Sequence, residues 1–209
     1  TYNNTMWGTA AVGSMSTSRT FTSLMGLDVA TTLNGATTDV DYDTYGRPSS
    51  VKLKTGATAT YTYAPTATPP STTVTINGKW TKTSFDGFGR AIKVETGHST
   101  TTVSTVDTEY EPCACSPLAK LKRTSRPYAP SATVYWTTYA YDALGRTISV
   151  TLPNSAGTST TSYQGNAVTS TDPAGKWKKA VSNAMGETTQ LIEPNPAGGS
   201  DLVTTMTYN

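Results

Sequence analysis

The sequence is poor in charge, in large aliphatic side chains and in reactive groups. Only 14% of the residues are charged and the formal net charge is +2, so the electrostatic field does not favour nucleic acid or an anionic membrane as the main partner. Phe occurs 3 times, Cys twice and His once, and Leu and Ile are scarce. No apolar run approaches the roughly 20 residues of a membrane span. A deep hydrophobic core is therefore excluded, and a thin sheet with shallow packing is expected.

The abundant residues predict strands. Thr supplies about a fifth of the chain, followed by Ser, Gly, Tyr and Val. Side chains that are β-branched or aromatic fit a pleated, half-buried surface better than a helix. The composition therefore indicates an all-β protein.

One six-residue phrase recurs along the chain. It reads YDTYGR at 42–47, FDGFGR at 85–90 and YDALGR at 141–146, and a weaker copy reads NAMGE at 183–187. When the glycines are aligned, an Asp or Asn and a Gly fall in common columns in all four copies, and an aromatic residue and an Arg do so in three, with Ser182 and Glu187 in the weak copy. The predicted repeat residues are Tyr42, Asp43, Gly46, Arg47, Phe85, Asp86, Gly89, Arg90, Tyr141, Asp142, Gly145, Arg146, Asn183 and Gly186.

Each copy predicts a β-hairpin. Asp or Asn at the first position and Gly at the fourth are typical of a type I turn, because the Asx side chain caps amides and Gly accepts unusual dihedrals. After the turn, Ile148, Val150 and Leu152 alternate with hydroxyl residues, which is the period of a half-buried strand. The predicted fold is all-β, an extended antiparallel sheet of repeated β-hairpins.

A longer period lies over the short one. GKWTKTSFDGFG at 78–89 aligns without gaps with GKWKKAVSNAMG at 175–186, roughly one hundred residues apart. We therefore predict a single repeat array with internal blocks at 2–109 and 110–207, and with 208–209 starting a further unit. On this interpretation the array continues beyond the chain.

The phrase Y-D-x-x-G-R, followed by alternating strand residues, resembles the YD repeat of the RHS family, which is shared by teneurins and by the C component of bacterial toxin complexes. The resemblance covers essentially the whole chain. It implies a strip of hairpins that coils into a shell, tube or fibre, is secreted or exposed at the cell surface, and needs no cofactor. A chain of 209 residues is too short to close such a shell, so a fragment or a multi-chain assembly is expected.

In RHS proteins the shell encloses a C-terminal toxin that an aspartic autoprotease releases near a D-P-x-G motif. Asp172-Pro173-Ala174-Gly175 has those letters. Aspartic chemistry needs two carboxylates that share a proton, and no second Asp is suitably placed in the sequence. We therefore interpret the motif as a proline-containing turn and expect no catalytic residue.

Two kinds of reactive side chain remain. Cys113 and Cys115 supply only half of a structural zinc site, so they predict a small disulfide, a link to another chain or buried free thiols. His98 lies in a polar stretch without a patterned nucleophile and is expected to be a solvated loop residue. We expect no metal.

Surface features suggest binding only weakly. The basic runs at 120–123 and 176–179 are expected to be solvated strand faces. Asn3-Asn4-Thr5 is an N-glycosylation sequon. Sugars could stack on the indole rings, and the candidates are Trp7, Trp80, Trp136 and Trp177.

These observations favour a structural, non-enzymatic module located outside the cell. Its expected partners are further copies or repeats of the same parent chain, joined by end-to-end strand pairing, and glycans are a further expected class. One alternative is a carbohydrate- or surface-binding adhesion module, and another is the shell fragment of a polymorphic RHS toxin. No nucleic acid, membrane span or cofactor is expected.

Overall fold

The structure is a computed structural model that describes residues 9–12, 14–21, 28–33 and 36–208. The residues so described form eighteen strands and contain no helix, and every strand pairing with a defined register is antiparallel. Consecutive strands pair with each other as hairpins. The prediction of an all-β fold built from repeated hairpins is confirmed.

The chain divides into two compact units, Thr1–Thr105 and Val106–Asn209. The predicted blocks at 2–109 and 110–207, with 208–209 starting another, stay a prediction, and residue 209 lies outside the described residues. The strands of the first unit are β1 (Thr9–Val12), β2 (Met15–Phe21), β3 (Asp28–Leu33), β4 (Ala36–Tyr42), β5 (Pro48–Lys52), β6 (Thr58–Ala64), β7 (Ser71–Ile76), β8 (Lys79–Phe85) and β9 (Ala91–His98).

A long strand, β10 (Thr101–Cys113), begins in the first unit and ends in the second. The remaining strands of the second unit are β11 (Ser116–Ser125), β12 (Trp136–Tyr141), β13 (Thr147–Thr151), β14 (Thr158–Gln164), β15 (Ala167–Thr171), β16 (Trp177–Ser182), β17 (Thr188–Glu193) and β18 (Leu202–Thr205).

In the first unit the two faces of the sheet differ in chemistry. Val51 lies opposite Ala59, and Ala59 lies opposite Ile76, so these apolar residues share one face. Thr60 lies opposite Thr75 on the other face. Because side chains alternate along a strand, the period-two pattern of the sequence separates an apolar face from a hydroxyl face.

In the second unit the two faces are more mixed. Val168 lies opposite both Tyr163 and Ala180, and the pair Thr161 and Ser170 lies on the same face. Thr160 lies opposite Thr171 on the other face, which also carries Ala167. Each unit is thus described by hairpins whose apolar side chains are aligned across strands, which is the cross-strand contact that stabilises a sheet.

Burial within the sheet is shallow, as the composition predicts. Among the described residues, the buried apolar side chains are those of Ala59, 3% exposed, Ala167, 8% exposed, and Pro153. No large side chain of the described part is fully buried. Because hydrophobic burial contributes little to the stability of this fold, the turns and their polar contacts contribute a larger share of it.

Gly89 tests the backbone requirement of the turns. Its φ is +76°, and a Cβ added there would meet no atom within 4 Å, so Gly89→Ala introduces only left-handed backbone strain. We expect the free energy of unfolding to fall by about 1 kcal/mol, measured by urea denaturation.

Gly87, in the same turn, is the matched control. An added Cβ again meets nothing within 4 Å, but Gly87 is not among the residues with positive φ. Gly87→Ala should therefore leave stability unchanged or raise it by less than about 1 kcal/mol. Equal losses in the two variants would contradict the strain argument.

Candidate functional site

In each copy of the repeated turn, one aspartate forms the hydrogen bonds that close the corner. In the copy at 141–146, the Asp142 amide donates to the Arg146 carbonyl at 3.0 Å, and the Gly145 amide donates to the Asp142 carbonyl at 3.0 Å. Asp142 Oδ1 accepts from the amides of Leu144 and Arg146 at 3.0 and 2.9 Å. One carboxylate oxygen thus satisfies two amides that the sharp corner would leave unpaired.

The second carboxylate oxygen holds the arginine. Arg146 donates from Nε and Nη2 to Asp142 Oδ2, each at 2.7 Å. The same charge-assisted contacts join Asp43 to Arg47 and Asp86 to Arg90. In all three copies the aspartate is therefore fully engaged inside its own turn.

These contacts lower the pKa of the turn aspartates. Desolvation raises the pKa of the Asp142 carboxyl, but hydrogen bonds from the Arg146 amide and guanidinium and from the Leu144 amide outweigh it, so the pKa lies below its usual value. The same balance lowers the pKa of Asp43 and of Asp86. The turn thus stabilises the ionised aspartate, and by linkage the ionised aspartate stabilises the turn.

A tyrosine from the strand after the hairpin completes the site. The Arg146 guanidinium lies 4.0 Å from the centre of the Tyr163 ring, and the Tyr163 hydroxyl donates to the Thr147 carbonyl at 3.2 Å. We call this pair of contacts the tyrosine clasp. It ties a hairpin to the strand that follows and orients the arginine by a cation–π contact.

The clasp occurs in both units. In the first unit, Arg47 lies 4.1 Å from the Tyr63 ring, and the Tyr63 hydroxyl donates to the Pro48 carbonyl at 2.9 Å. In each case the accepting carbonyl belongs to the residue directly after the arginine. The spacing of the contact is therefore part of the repeat.

Two further tyrosines make the same hydroxyl-to-carbonyl bond without an arginine. Tyr141 donates to the Leu121 carbonyl at 2.9 Å while Lys120 lies 5.4 Å from its ring. Tyr208 donates to the Thr188 carbonyl at 2.8 Å, directly after Glu187. The hydroxyl-to-carbonyl bond is therefore the contact that all four tyrosines share, whatever residue precedes the carbonyl.

In the weak copy, the hydrogen-bond donor and acceptor of the side-chain pair in the turn are exchanged. Asn183 Oδ1 accepts from the amides of Met185 and Glu187, each at 3.0 Å, as an aspartate would. Asn183 Nδ2 then donates to Glu187 Oε2 at 2.7 Å. Where Arg becomes Glu, Asp becomes Asn, and the hydrogen bond is retained with donor and acceptor exchanged.

The structure contains turns that the repeat alignment missed. Asp172 Oδ1 accepts from the amides of Ala174 and Lys176 at 2.9 and 2.8 Å, and Gly175 has φ +80°. The D-P-x-G letters therefore form a fifth turn of the same kind, and the shared D-x-x-G spacing was the available signal. Asn195 caps another such turn, with the Ala197 amide at 3.0 Å and Gly198 at φ +81°.

The two cysteines are joined to each other. Cys113 and Cys115 form a disulfide with a Cα–Cα distance of 5.1 Å between the end of β10 and the start of β11. The described residues include no free cysteine and no cluster of His, Cys, Asp or Glu able to hold a metal ion. Nor does any helix suited to crossing a membrane occur in that part of the chain.

The other sequence candidates are engaged in local contacts. Trp80 Nε1 donates to the Ser99 carbonyl at 3.0 Å, and its ring lies against the backbone of Gly97, where an added Cβ would be 2.3 Å away. Trp136 lies beneath Arg123 at 4.1 Å. These two indole rings are used for packing. His98 is exposed at the end of β9.

The basic runs are partly neutralised by neighbouring strands. Arg123 donates to both carboxylate oxygens of Glu109 at 2.7 Å, and the hydrogen bond lowers the pKa of Glu109. Lys122 pairs with Glu111 at 3.0 Å. Asn3 and Trp7 lie outside the described residues.

Tyr163→Phe isolates the hydroxyl of the clasp. The substitution removes the hydrogen bond to the Thr147 carbonyl but keeps an aromatic ring over Arg146. We expect the free energy of unfolding to fall by about 1 kcal/mol in urea denaturation. Tyr139→Phe is the control, because the Tyr139 hydroxyl makes no hydrogen bond within the described chain. A loss as large at 139 as at 163 would contradict the assigned role.

Acid should weaken the turns. Because the folded pKa of Asp142 lies below its unfolded value of about 3.9, its contribution is present above that pH and is lost as the pH falls through the folded pKa. We expect the stability difference between the natural chain and Asp142→Asn to shrink over this range, measured by urea denaturation at stepped pH. A difference that stays constant down to strongly acidic pH would contradict the coupling.

Comparison with known proteins gives no family assignment, since no family model and no curated protein matches the chain. Solved structures do match. The chain aligns over 95% of its length with part of a Photorhabdus luminescens Tc holotoxin pore carrying a TccC3 mutation, at a TM-score of 0.63 and 14% identity. TcdB2-TccC3-TEV aligns over 90% at 0.55 and 17% identity, and TcdB2-TccC3-Cdc42 over 93% at 0.60 and 14% identity.

The aligned part is a small share of those proteins. This chain spans 12%, 13% and 12% of the matched chain in the three structures respectively. At such low identity the likeness is one of fold. The hairpin sheet described here is thus a fold found within Tc toxin components.

Proposed function

We propose that the chain is a structural segment of a YD-repeat wall of the RHS type and that it carries no catalysis of its own. The observation that carries the proposal is the self-contained turn. Both carboxylate oxygens of Asp43, Asp86 and Asp142 accept hydrogen bonds from amides and an arginine within the same turn. Groups so fully used hold a fold together and leave little for chemistry on a substrate.

The fold supports a wall in a second way. One YD hairpin in each unit is tied to the next strand by a tyrosine clasp, so the contact between neighbouring strands repeats along the chain. A structure whose contacts are between neighbours extends without a central core. The likeness to the much longer Tc toxin components agrees with a segment of a larger sheet.

Further repeats of the parent chain, or further copies of it, are the proposed partners. The residue before the turn glycine is large, apolar and exposed in each of the four aligned copies: Tyr45 80%, Phe88 67%, Leu144 76% and Met185 87%. Leu202 and Val203 of β18 are also exposed, by 50% and 56%. Apolar tips and strand residues of this kind are suited to contacts with adjoining sheet.

The proposed location is outside the cell, as a secreted or surface protein. The Cys113–Cys115 disulfide supports this, because disulfides persist in oxidising compartments. The second candidate function is the shell of an RHS-type toxin, and the Tc toxin likeness favours it over an adhesion module.

Electron microscopy of the full natural protein tests the wall. We expect continuous sheet-walled shells, tubes or fibres, and enclosed density would identify the toxin-shell form. A variant with Asp43, Asp86 and Asp142 all changed to Ala should lose the wall, because three corners lose their amide acceptors. Compact particles without a wall would overturn the proposal.

A further inference from the structure

The loop between β10 and β11 lacks the backbone geometry that short hairpins favour. Cys113 lies opposite Ser116, so the loop consists of Ala114 and Cys115 alone. Two-residue hairpin loops favour residues with positive φ, because such turns match the twist of the paired strands. In the loop at 77–78, between β7 and β8, both residues have positive φ, at 50° and 75°. Neither Ala114 nor Cys115 does, so the Cys113–Cys115 disulfide closes a turn whose own backbone favours closure less.

Strand β11 bulges directly after this loop. After the pair Cys113 and Ser116, the next register partners are Glu111 and Lys120. Three residues of β11 therefore face one residue of β10, and Ala119, within the bulge, has φ +66°. A bulge interrupts the ladder and redirects the side chains next to it. The disulfide loop is thus joined to the rest of the sheet by an interrupted ladder.

Lys120, the first paired residue after the bulge, lies beside the disulfide. A Cβ added at Gly145 would lie 3.4 Å from Lys120 Nζ and 3.7 Å from Cys115 Cβ, so the ammonium and the cysteine meet above that glycine. Lys120 forms no ion pair within the described chain, and its register partner Glu111 is bound by Lys122 at 3.0 Å. A cation without a carboxylate partner therefore lies next to Cys115.

The disulfide is open to small reagents and adds little to the fold. Both cysteines are half-buried. The stabilisation that a disulfide gives grows with the length of the loop that it closes, and this one encloses only Ala114. Strands β10 and β11 are also held together by their ladder and by the ion pair of Arg123 with Glu109. The sheet therefore does not depend on this bond.

We propose that the Cys113–Cys115 disulfide is a thiol–disulfide exchange site whose substrates are small thiols of the glutathione type. An accessible disulfide is more easily reduced than a structural one, and a sulfur leaves faster when its thiolate is stabilised. A neighbouring lysine stabilises a thiolate, and Lys120 is placed to do so for Cys115. The inference goes beyond the wall function, because it assigns a reaction to one hairpin loop.

The exchange is two successive attacks by thiolates. The thiolate of one small thiol bonds to Cys113 Sγ, and the electrons of the broken S–S bond leave on Cys115 Sγ. The thiolate of a second small thiol then bonds to the sulfur of the first, and the electrons of that broken bond leave on Cys113 Sγ. Both protein thiolates take up the protons that the two small thiols released. Two small thiols are thereby oxidised to one disulfide, and the protein disulfide is reduced to two thiols.

Equilibration of the natural protein in a large excess of reduced glutathione tests the site. Trapping with iodoacetamide and measurement of the intact mass count the free thiols, and Cys113→Ser/Cys115→Ser is the control without thiols. We expect both cysteines to be trapped, whereas a structural disulfide resists the glutathione pool. The reduced protein should unfold at nearly the same urea concentration as the oxidised one. A disulfide that stays oxidised, or a sheet that unfolds on reduction, would overturn the proposal.

The rate of reduction by glutathione at neutral pH tests the part assigned to Lys120. Lys120→Gln removes the cation beside Cys115, so we expect the second-order rate constant to fall about threefold. Added salt should narrow this difference, because screening weakens the charge of Lys120 in the natural chain. Lys176→Gln is the matched control, since Lys176 forms no ion pair in the described chain and lies in the turn after β15, separated from β11 by several strands.

The control separates a local effect from a change in net charge. A rate that falls in Lys120→Gln and not in Lys176→Gln would support the assignment. Equal rates in all three proteins, or an equal fall in both variants, would contradict it. Quenching the reaction partway should also give a mixed disulfide with glutathione on Cys113, located by fragment masses. Glutathione found on Cys115 instead would overturn the order of attack.

Discussion

The carboxylate that closes each corner is the contact on which the rest of the structure depends. A sheet whose buried apolar side chains in the described chain are those of Ala59, Ala167 and Pro153 gains little from a core. Its hairpins must therefore be fixed by local geometry. Asp142 does this by accepting two amides with one oxygen and a guanidinium with the other. The turn sets which residues face each other, and the register sets which face becomes apolar.

The tyrosine clasp fixes the position of a hairpin relative to the strand that follows it. In four cases the hydroxyl binds the carbonyl of the residue that follows Arg47, Lys120, Arg146 or Glu187. Since a carbonyl accepts the bond regardless of the neighbouring charge, the clasp tolerates changes that would break a salt bridge. The compensating exchange at Asn183 shows the same tolerance inside the turn. Geometry is therefore maintained while side-chain chemistry varies.

Much of this fold could be predicted from the sequence, because its causes are local. The alternation after Arg146 and the D-x-x-G spacing concern residues within one hairpin, and both predict strands and turns directly. The clasp could not be predicted, because Tyr163 meets Arg146 only once the next strand is in register. The sequence also left the state of Cys113 and Cys115 open. Their disulfide depends on the 5.1 Å distance between the two Cα atoms, which is a property of the folded chain. At Asp172 the sequence predicted a proline-containing turn, which the structure contains, and the D-x-x-G spacing shared with the other copies indicates the kind of turn.

The corners also show which of their contacts the turn requires. Asp43 and Asp86 make both contacts, a cap on two amides and a charge-assisted bond to the arginine four residues on. At Asp172 the residue four positions on is Lys176, and the Oδ1 cap is still made, to the amides of Ala174 and Lys176. At Asn183 the cap is again kept while the charged pair is replaced by an amide-to-carboxylate bond. The amide cap is therefore the contact that every such corner keeps, and the bond to the fourth residue can change in chemistry because each copy closes its own turn.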